Sequence, residues 1–252
     1  MKTSYKLLWT LFTVLLLSML SVATAVRMDL SAVKPVDGDG VISERIYEDG
    51  EFEGFEVYGG VDVVVIPSDS PYIKVITDQN LQDLFYVKKR DGWFTISRDA
   101  HFGQETNLEV YVYTPGLTGF SAHNSATVSM DSVMNEEELE IRAYNSSQIH
   151  LFAVTQNLVV KTRNSSEVYV KGETEDLDVR ASASSKVECT DMISRFAKIS
   201  AEGSSEVKVR VSDRLETDIH GGSAVWFVGP ENLSIKSSGA AQAQPISRPD
   251  PS

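Results

Sequence analysis

Cysteine is almost absent from this sequence: Cys189 stands alone in 252 residues. A single thiol cannot close an internal disulfide, and it leaves no second cysteine for a Cys-based metal site. Stability must therefore come from packing, with Cys189 expected as a small buried apolar residue. Histidine is scarce too. His101, His123, His150 and His220 have no regular ligand spacing, so the pattern builds no zinc site. Positive charge is in deficit, with 23 Lys and Arg against 36 Asp and Glu and a net charge of -13. A surface of that sign repels phosphate backbones and argues against nucleic acid as a partner. No glycine-rich loop joins a strand to a helix, and no serine sits in a Gly-x-Ser-x-Gly elbow. The sequence thus offers neither a cofactor site nor a catalytic set, and an enzyme is not expected. Long amphipathic helices are missing as well, because no stretch after residue 26 keeps a 3.6-residue apolar period for three turns.

What is present begins with an address. Lys2 and Lys6 precede the uncharged run LLWTLFTVLLLSMLSVATAV, Leu7 to Val26, and Ala23-Thr24-Ala25 has the small-x-small form of a signal-peptidase site. Residues 1–26 are expected to be a signal peptide or, at nearly bilayer-spanning length, an N-terminal membrane anchor. Either way the chain is exported, as a periplasmic, membrane-anchored or cell-surface protein. Residues 27–50 mix charge, Gly and Pro and suggest a linker or an entry strand. Residues 51–242 form the main domain. Residues 243–252 are polar and Pro-rich, as in a disordered tail.

Within the main domain, apolar and polar residues alternate in short runs rich in Val, Ile, Tyr and Phe. FEVYGGVDVVVI, YIKVITD, LFYVKKRDGWFTISRD and NLEVYVYTP read as strands, with Asp91-Gly92 a turn and Asn80 to Phe85 able to hold one helical turn. After Pro115 a corner of small residues recurs. Its first position falls at Asn124, Asn145, Asn164, Ala183, Gly203, Gly221 and Gly239, at spacings of 21, 19, 19, 20, 18 and 18. A period near 20 marks a solenoid whose coils stack on one another. VYGGVDV at Val57 to Val63 aligns with AYNSSQI at Ala143 to Ile149, so the first strand block belongs to the same pattern. The fold class is all-β: a β-helix-like solenoid with coils of about 18–21 residues, preceded by a short β-strand portion of the same domain.

Each coil reads as strand, corner, strand. With side chains alternating in period two, the first strands send inward Leu139, Leu158, Leu177, Ala197 and Leu215, then Ile141, Val160, Val179, Ile199 and Thr217. The second strands send in Ile149, Val168, Val187, Val207 and Val225, then Leu151, Val170, Cys189, Val209 and Phe227. At the corner the neighbouring coils lie only about 4.8 Å away, so large side chains would meet their own copies. Gly, Ala, Ser and Asn fit, and Gly and Asn also tolerate positive φ. The serine columns beginning at Ser146 and Ser147 are expected to satisfy corner backbone groups, as possible hydroxyl ladders.

These residues resemble a known family, the putative auto-transporter adhesins with a head GIN domain. The resemblance runs from Glu51 to Gln242. It rests on GFEVYGGVDVVVI, on ITDQNLQDLFYVKKRDGWFTI and on the repeated small-residue corners, although this chain uses Asn-Ser-Ser and Ala-Ser-Ser where many members have Ser-Gly-Gly. What the resemblance implies is an exported β-solenoid held at the cell envelope and acting in adhesion or binding.

The outward columns carry the candidate ligand surfaces. Second strands present His150, Tyr169, Glu188, Lys208 and Trp226 at equivalent positions, an aromatic and polar strip able to stack sugar rings or a peptide. First strands present Arg142, Lys161 and Arg180 in adjacent coils. Like charges stacked across strands cost energy, which hints at an anionic ligand unless Glu140 and Asp178 compensate. The expected partners are a surface glycan or an envelope protein, and the membrane itself if residues 7–26 remain attached. Two other readings stand beside adhesion: a polysaccharide-active β-helix enzyme, and an envelope structural or stress component that binds a membrane protein. Asn145, Asn164 and Asn232 each begin a glycosylation sequon.

Overall fold

The alternating segments fold as strands. The computed structural model describes residues 12–19, 34–103 and 106–246. In its first half lie β1 (Ile42–Tyr47), β2 (Gly54–Tyr58), β3 (Asp62–Pro67), β4 (Tyr72–Asp78), β5 (Phe85–Arg90), β6 (Trp93–Arg98), β7 (Leu108–Thr114), β8 (Gly119–His123) and β9 (Thr127–Ser129). There follow β10 (Met134–Tyr144), β11 (Gln148–Arg163), β12 (Glu167–Ser182), β13 (Lys186–Ala201), β14 (Glu206–Ile219), β15 (Ala224–Val228), β16 (Asn232–Ser237) and β17 (Gln242–Pro245). A 3-10 turn, Gln79–Leu84, occupies the place where one helical turn was expected.

The chain divides into two compact units. One takes in residues 1–37 and 100–105, and in it Val36 bridges Phe102. Residues 12–19 are helical and exposed, whereas the rest of the Leu7 to Val26 run and its Ala-Thr-Ala site lie outside the described residues. Among the described residues no helix is long and apolar enough to cross a membrane. The other unit, residues 38–99 and 106–252, contains the coils.

From β10 onward each long strand serves two coils. β11 starts as the second strand of one coil, and its burial alternation slips at Gln156 and Asn157, both exposed, before Leu158 turns inward again. That slip folds the strand onto the opposite face, where it becomes the first strand of the next coil. Parallel pairing then steps by one coil: Ile149 faces Val168, and Leu158 faces Leu177. The inward columns all lie in the core, with Leu158, Val160, Ile149, Val187, Ile199 and Val207 fully buried. Burying each such side chain contributes about 1.5–3 kcal/mol, so the stack is held by repetition of a small apolar layer. Cys189 belongs to this layer, and burial pushes its thiol up to about 12, leaving it protonated and unreactive. Hydroxyls that turn in at the bend find partners: Thr155 Oγ1 donates to Thr174 Oγ1 at 2.8 Å, and Ser194 Oγ donates to the Arg210 carbonyl at 2.9 Å.

The corners explain the small residues. Two successive residues take left-handed φ: 59° and 63° at Asn145 and Ser146, 58° and 60° at Asn164 and Ser165, 54° and 63° at Ala183 and Ser184. Gly59 and Gly60, at 79° and 63°, make the same corner, as the alignment of VYGGVDV predicts. Corner amides then bond to the adjacent coil, Asn145 N–H to the Arg163 carbonyl at 3.2 Å and Ser146 N–H to the Asn164 carbonyl at 2.9 Å. The side chains form a ladder of amides, not of hydroxyls. Asn145 Nδ2 donates to Asn124 Oδ1 at 2.9 Å, and Asn164 Nδ2 donates to Asn145 Oδ1 at 2.8 Å. The third corner residue is buried, and its hydroxyl mostly caps a carbonyl: Ser147 reaches the Ala122 carbonyl at 2.8 Å, and Ser166 reaches the Arg163 carbonyl at 2.8 Å.

The first coils depart from chain order. β2 pairs in parallel with both β6 and β8, and β3 with both β7 and β9. The coil made by β2 and β3 therefore lies between the one containing β6 and β7 and the one containing β8 and β9. β7 reaches this place by entering between β3 and β4, the latter pairing with it antiparallel. β5 pairs antiparallel with β6 through a turn in which Asp91 and Gly92 have φ of 51° and 80°, and β1 pairs antiparallel with β4. The segment 27–50 thus supplies an entry strand over Ile42–Tyr47 rather than a linker alone. At the other end, residues 243–245, expected in the tail, belong to β17, because their main chain extends the ladder of β15.

Candidate functional site

Outward positions of the second strands line up without a break. His150 faces Tyr169, Tyr169 faces Glu188, Glu188 faces Lys208, and Lys208 faces Trp226. The strip is ordered by its own pairs. The rings of His150 and Tyr169 stack at 4.8 Å and 3°, and the Lys186 ammonium lies 5.4 Å over Tyr169. Lys208 Nζ sits 3.3 Å from Glu188 and 3.4 Å from Glu206. The Tyr169 hydroxyl donates to Glu167 at 2.6 Å, and that bond, helped by burial, pushes the phenol up to about 12. Trp226 is half-buried at the end of the strip, in a shallow groove shared with Thr190, Lys208, Val228 and Ile246. Stacking, the tyrosine hydrogen bond and the ion pairs hold His150, Tyr169, Glu188 and Lys208, so this part of the surface needs little ordering to meet a flat ligand.

On the first-strand face Arg142, Lys161 and Arg180 are neighbours, Arg142 facing Lys161 and Lys161 facing Arg180. Their charges are compensated from within the sheet. Arg142 Nε donates to Glu140 at 2.7 Å, Lys161 bonds to the same carboxylate, and Arg180 pairs with Asp178 at 2.9 Å. Burial works to raise the Glu140 carboxyl, but the bonds from Arg142 and Lys161 outweigh it and hold the group below the usual carboxylate range. Each of the three stacked cations thus has a carboxylate partner within the protein.

One outward column escaped the sequence reading. Tyr58, His123, Tyr144 and Arg163 each stand just before a corner and succeed one another in register. Tyr58 and His123 stack at 4.4 Å and 14°, and His123 meets Tyr144 at 5.2 Å and 46°. Burial lowers the His123 pKa, so this ring is uncharged at neutral pH. The signal was available, since aligning the corners puts Tyr58 and Tyr144 at one position, with Arg163 at the same position before the corner at Asn164.

The sequons behave differently from a simple surface site. The amide nitrogens of Asn145 and Asn164 are engaged in the corner ladder, and Asn232 Nδ2 lies 3.5 Å from Asp213.

Comparison with known proteins bears on this arrangement. A family model described as putative auto-transporter adhesin, head GIN domain, matches residues 51–230. Comparison with curated proteins finds no match. Among solved structures, a putative adhesin from Bacteroides fragilis superposes with a TM-score of 0.78 at 15% identity, covering 84% of this chain and 100% of that one. A putative lipid binding protein from Parabacteroides distasonis reaches 0.69 at 19% identity, over 85% of this chain and all of that one. A putative adhesin from Parabacteroides merdae reaches 0.65 at 16% identity, over 84% and 99% of the two chains. At such identities the likeness is one of fold.

Proposed function

We propose that this chain, which belongs to the family described as putative auto-transporter adhesin, head GIN domain, is a non-enzymatic binding module of the cell envelope that engages a surface glycan through the second-strand face. The observation that carries the reading is the unbroken column His150, Tyr169, Glu188, Lys208 and Trp226, one residue from each of five adjacent strands. At about 4.8 Å per strand, it offers a strip roughly 19 Å long, with rings at both ends and a charged pair between them. Aromatic faces take the C–H faces of sugar rings, while Glu188 and Lys208 supply oriented hydrogen bonds. Export, as the uncharged Leu7 to Val26 run suggests, would put that strip where glycans are.

The test is a glycan array with the full chain, product analysis on every bound glycan, and the double variant Tyr169→Ala/Trp226→Ala. Binding without cleavage, lost in the double variant while the melting temperature holds, is the expected result. Cleavage products would replace this reading with a polysaccharide-active enzyme. Silence across the array would favour an envelope protein as partner.

A further inference from the structure

On the opposite face of the same coils, the residues beside the corners enclose a groove of about 600 Å³. Its charge is unlike that of the rest of the molecule. Lys161, Arg163 and Arg180 line it with Glu202 as the single carboxylate, in a protein of net charge -13. The segregation follows from strand geometry. Glu140 and Asp178, which compensate Lys161 and Arg180, stand two residues farther from the corner and do not line the groove. Arg163 differs from its neighbours, because among the described residues it pairs with no carboxylate. Its guanidinium only reaches the Ser182 hydroxyl, at 3.4 Å. In register beside it stands Tyr144, the end of the ring series that starts with Tyr58 and His123.

We propose that this groove is a second binding site, for an acidic saccharide, in which a sugar carboxylate pairs with Arg163 while the C–H face of the ring lies on Tyr144. The planar fork of an exposed, uncommitted guanidinium matches a carboxylate with two parallel hydrogen bonds. Lys161 and Arg180 also line the groove, but Glu140 and Asp178 balance their charges, so the attraction for an anion centres on Arg163. A nucleic acid would bring a dense row of charges against the surrounding acidic surface. A uronic-acid chain pairs each charge with an apolar ring face, which is the combination that Arg163 and Tyr144 offer. The inference rests on the reading that the outer surface engages saccharides, but it concerns different residues on the other face of the coils.

Oligogalacturonate, dextran sulfate and neutral dextran, titrated calorimetrically into the full chain at low and moderate salt, test it. Oligogalacturonate is expected to bind, with affinity falling at least tenfold in Arg163→Gln and severalfold in Tyr144→Leu and in Arg163→Lys, which keeps the charge and loses the fork. The Tyr169→Ala/Trp226→Ala variant should keep the part of the binding that Arg163→Gln removes, which separates this site from the strip. A Lys88→Gln/Lys89→Gln variant, altered in charge on β5, should also bind unchanged. No binding by the intact chain, or an equal loss in the β5 variant, would overturn the proposal. Tighter binding of dextran sulfate with no dependence on Tyr144 would overturn it too, in favour of bare anion pairing.

Discussion

Residues 134–245 and residues 42–129 build the same two-faced layers by different routes. In the later region every coil lies on its predecessor, all pairing is parallel, and the corners recur at steps of 18 to 20 residues. In the earlier region the repeat lapses after the first corner. The chain runs outward through β4 and β5, turns back, and inserts β6 and β7 beside the coil it had already made. A repeat specifies the next step locally, whereas a break in the repeat leaves the chain free to close an edge. One end of the stack is therefore covered by antiparallel strands, with Arg45 and Asp83 paired at 2.9 Å beside β1. At the other end all six residues of β16 are exposed, Leu233 and Ile235 included. Lys236 on β16 and the donor-less Pro245 on β17 are the residue types that discourage edge pairing.

The sharpest way to break the regular region is Val168→Asp, which puts an unpaired charge into a column where Val168 is buried between Ile149 and Val187. A loss of about 3–5 kcal/mol is expected in chemical denaturation; an unchanged midpoint would mean that Val168 does not face the core. The irregular region has its own weak point in Asp78. This buried carboxylate accepts the Gly40 N–H at 2.8 Å and the Asn107 N–H at 3.1 Å. Asp78→Ala leaves both donors unpaired, at about 1–3 kcal/mol each. Hydrogen exchange should then speed up in β1 and β4 while β11 to β14 stay protected, and uniform loosening would erase the distinction between the two regions.

A smaller effect, of opposite sign, is expected at the corners. Ala183 holds φ at 54°, a conformation costing a side chain about 1–2 kcal/mol. Glycine returns about 0.4–1 kcal/mol of that as freedom in the unfolded chain, so Ala183→Gly should gain about 0.5–1 kcal/mol. The melting temperature would rise by about 1–4 °C, and a fall would contradict the strain argument. Least of all, Glu167→Gln on the outward face should change stability by no more than about 0.5 kcal/mol. It should nonetheless return the Tyr169 phenol toward its ordinary value, because the Glu167 hydrogen bond is the main cause of its elevation. Ultraviolet titration of the phenol reads that shift directly.

Much of this was legible beforehand, for reasons that differ by residue. Val168, Cys189 and Ile199 could be assigned to the core because period-two alternation is a property of any strand half facing a core. Asn145, Ser146 and Ala183 could be assigned to corners because crowding between coils excludes larger side chains. The column of Tyr58, His123, Tyr144 and Arg163 was missed because it is mixed in chemistry, and only spatial stacking makes a tyrosine, a histidine and an arginine one surface. Glu140 and Asp178 could be named as compensating the basic column from their places two residues away on the same strands, but that Lys161 reaches across to share Glu140 with Arg142 depends on side-chain reach between strands.

By itself, then, the sequence determined the coil: its length, its inward columns and its left-handed corners, all set by local alternation and sterics repeated every 18 to 21 residues. The tertiary structure alone decided the order of the first coils, the antiparallel covering of one end and the joining of Tyr58, His123, Tyr144 and Arg163 into one column. Those features come from competition between strand edges and side chains far apart in the chain, and no local pattern encodes the outcome of such a competition.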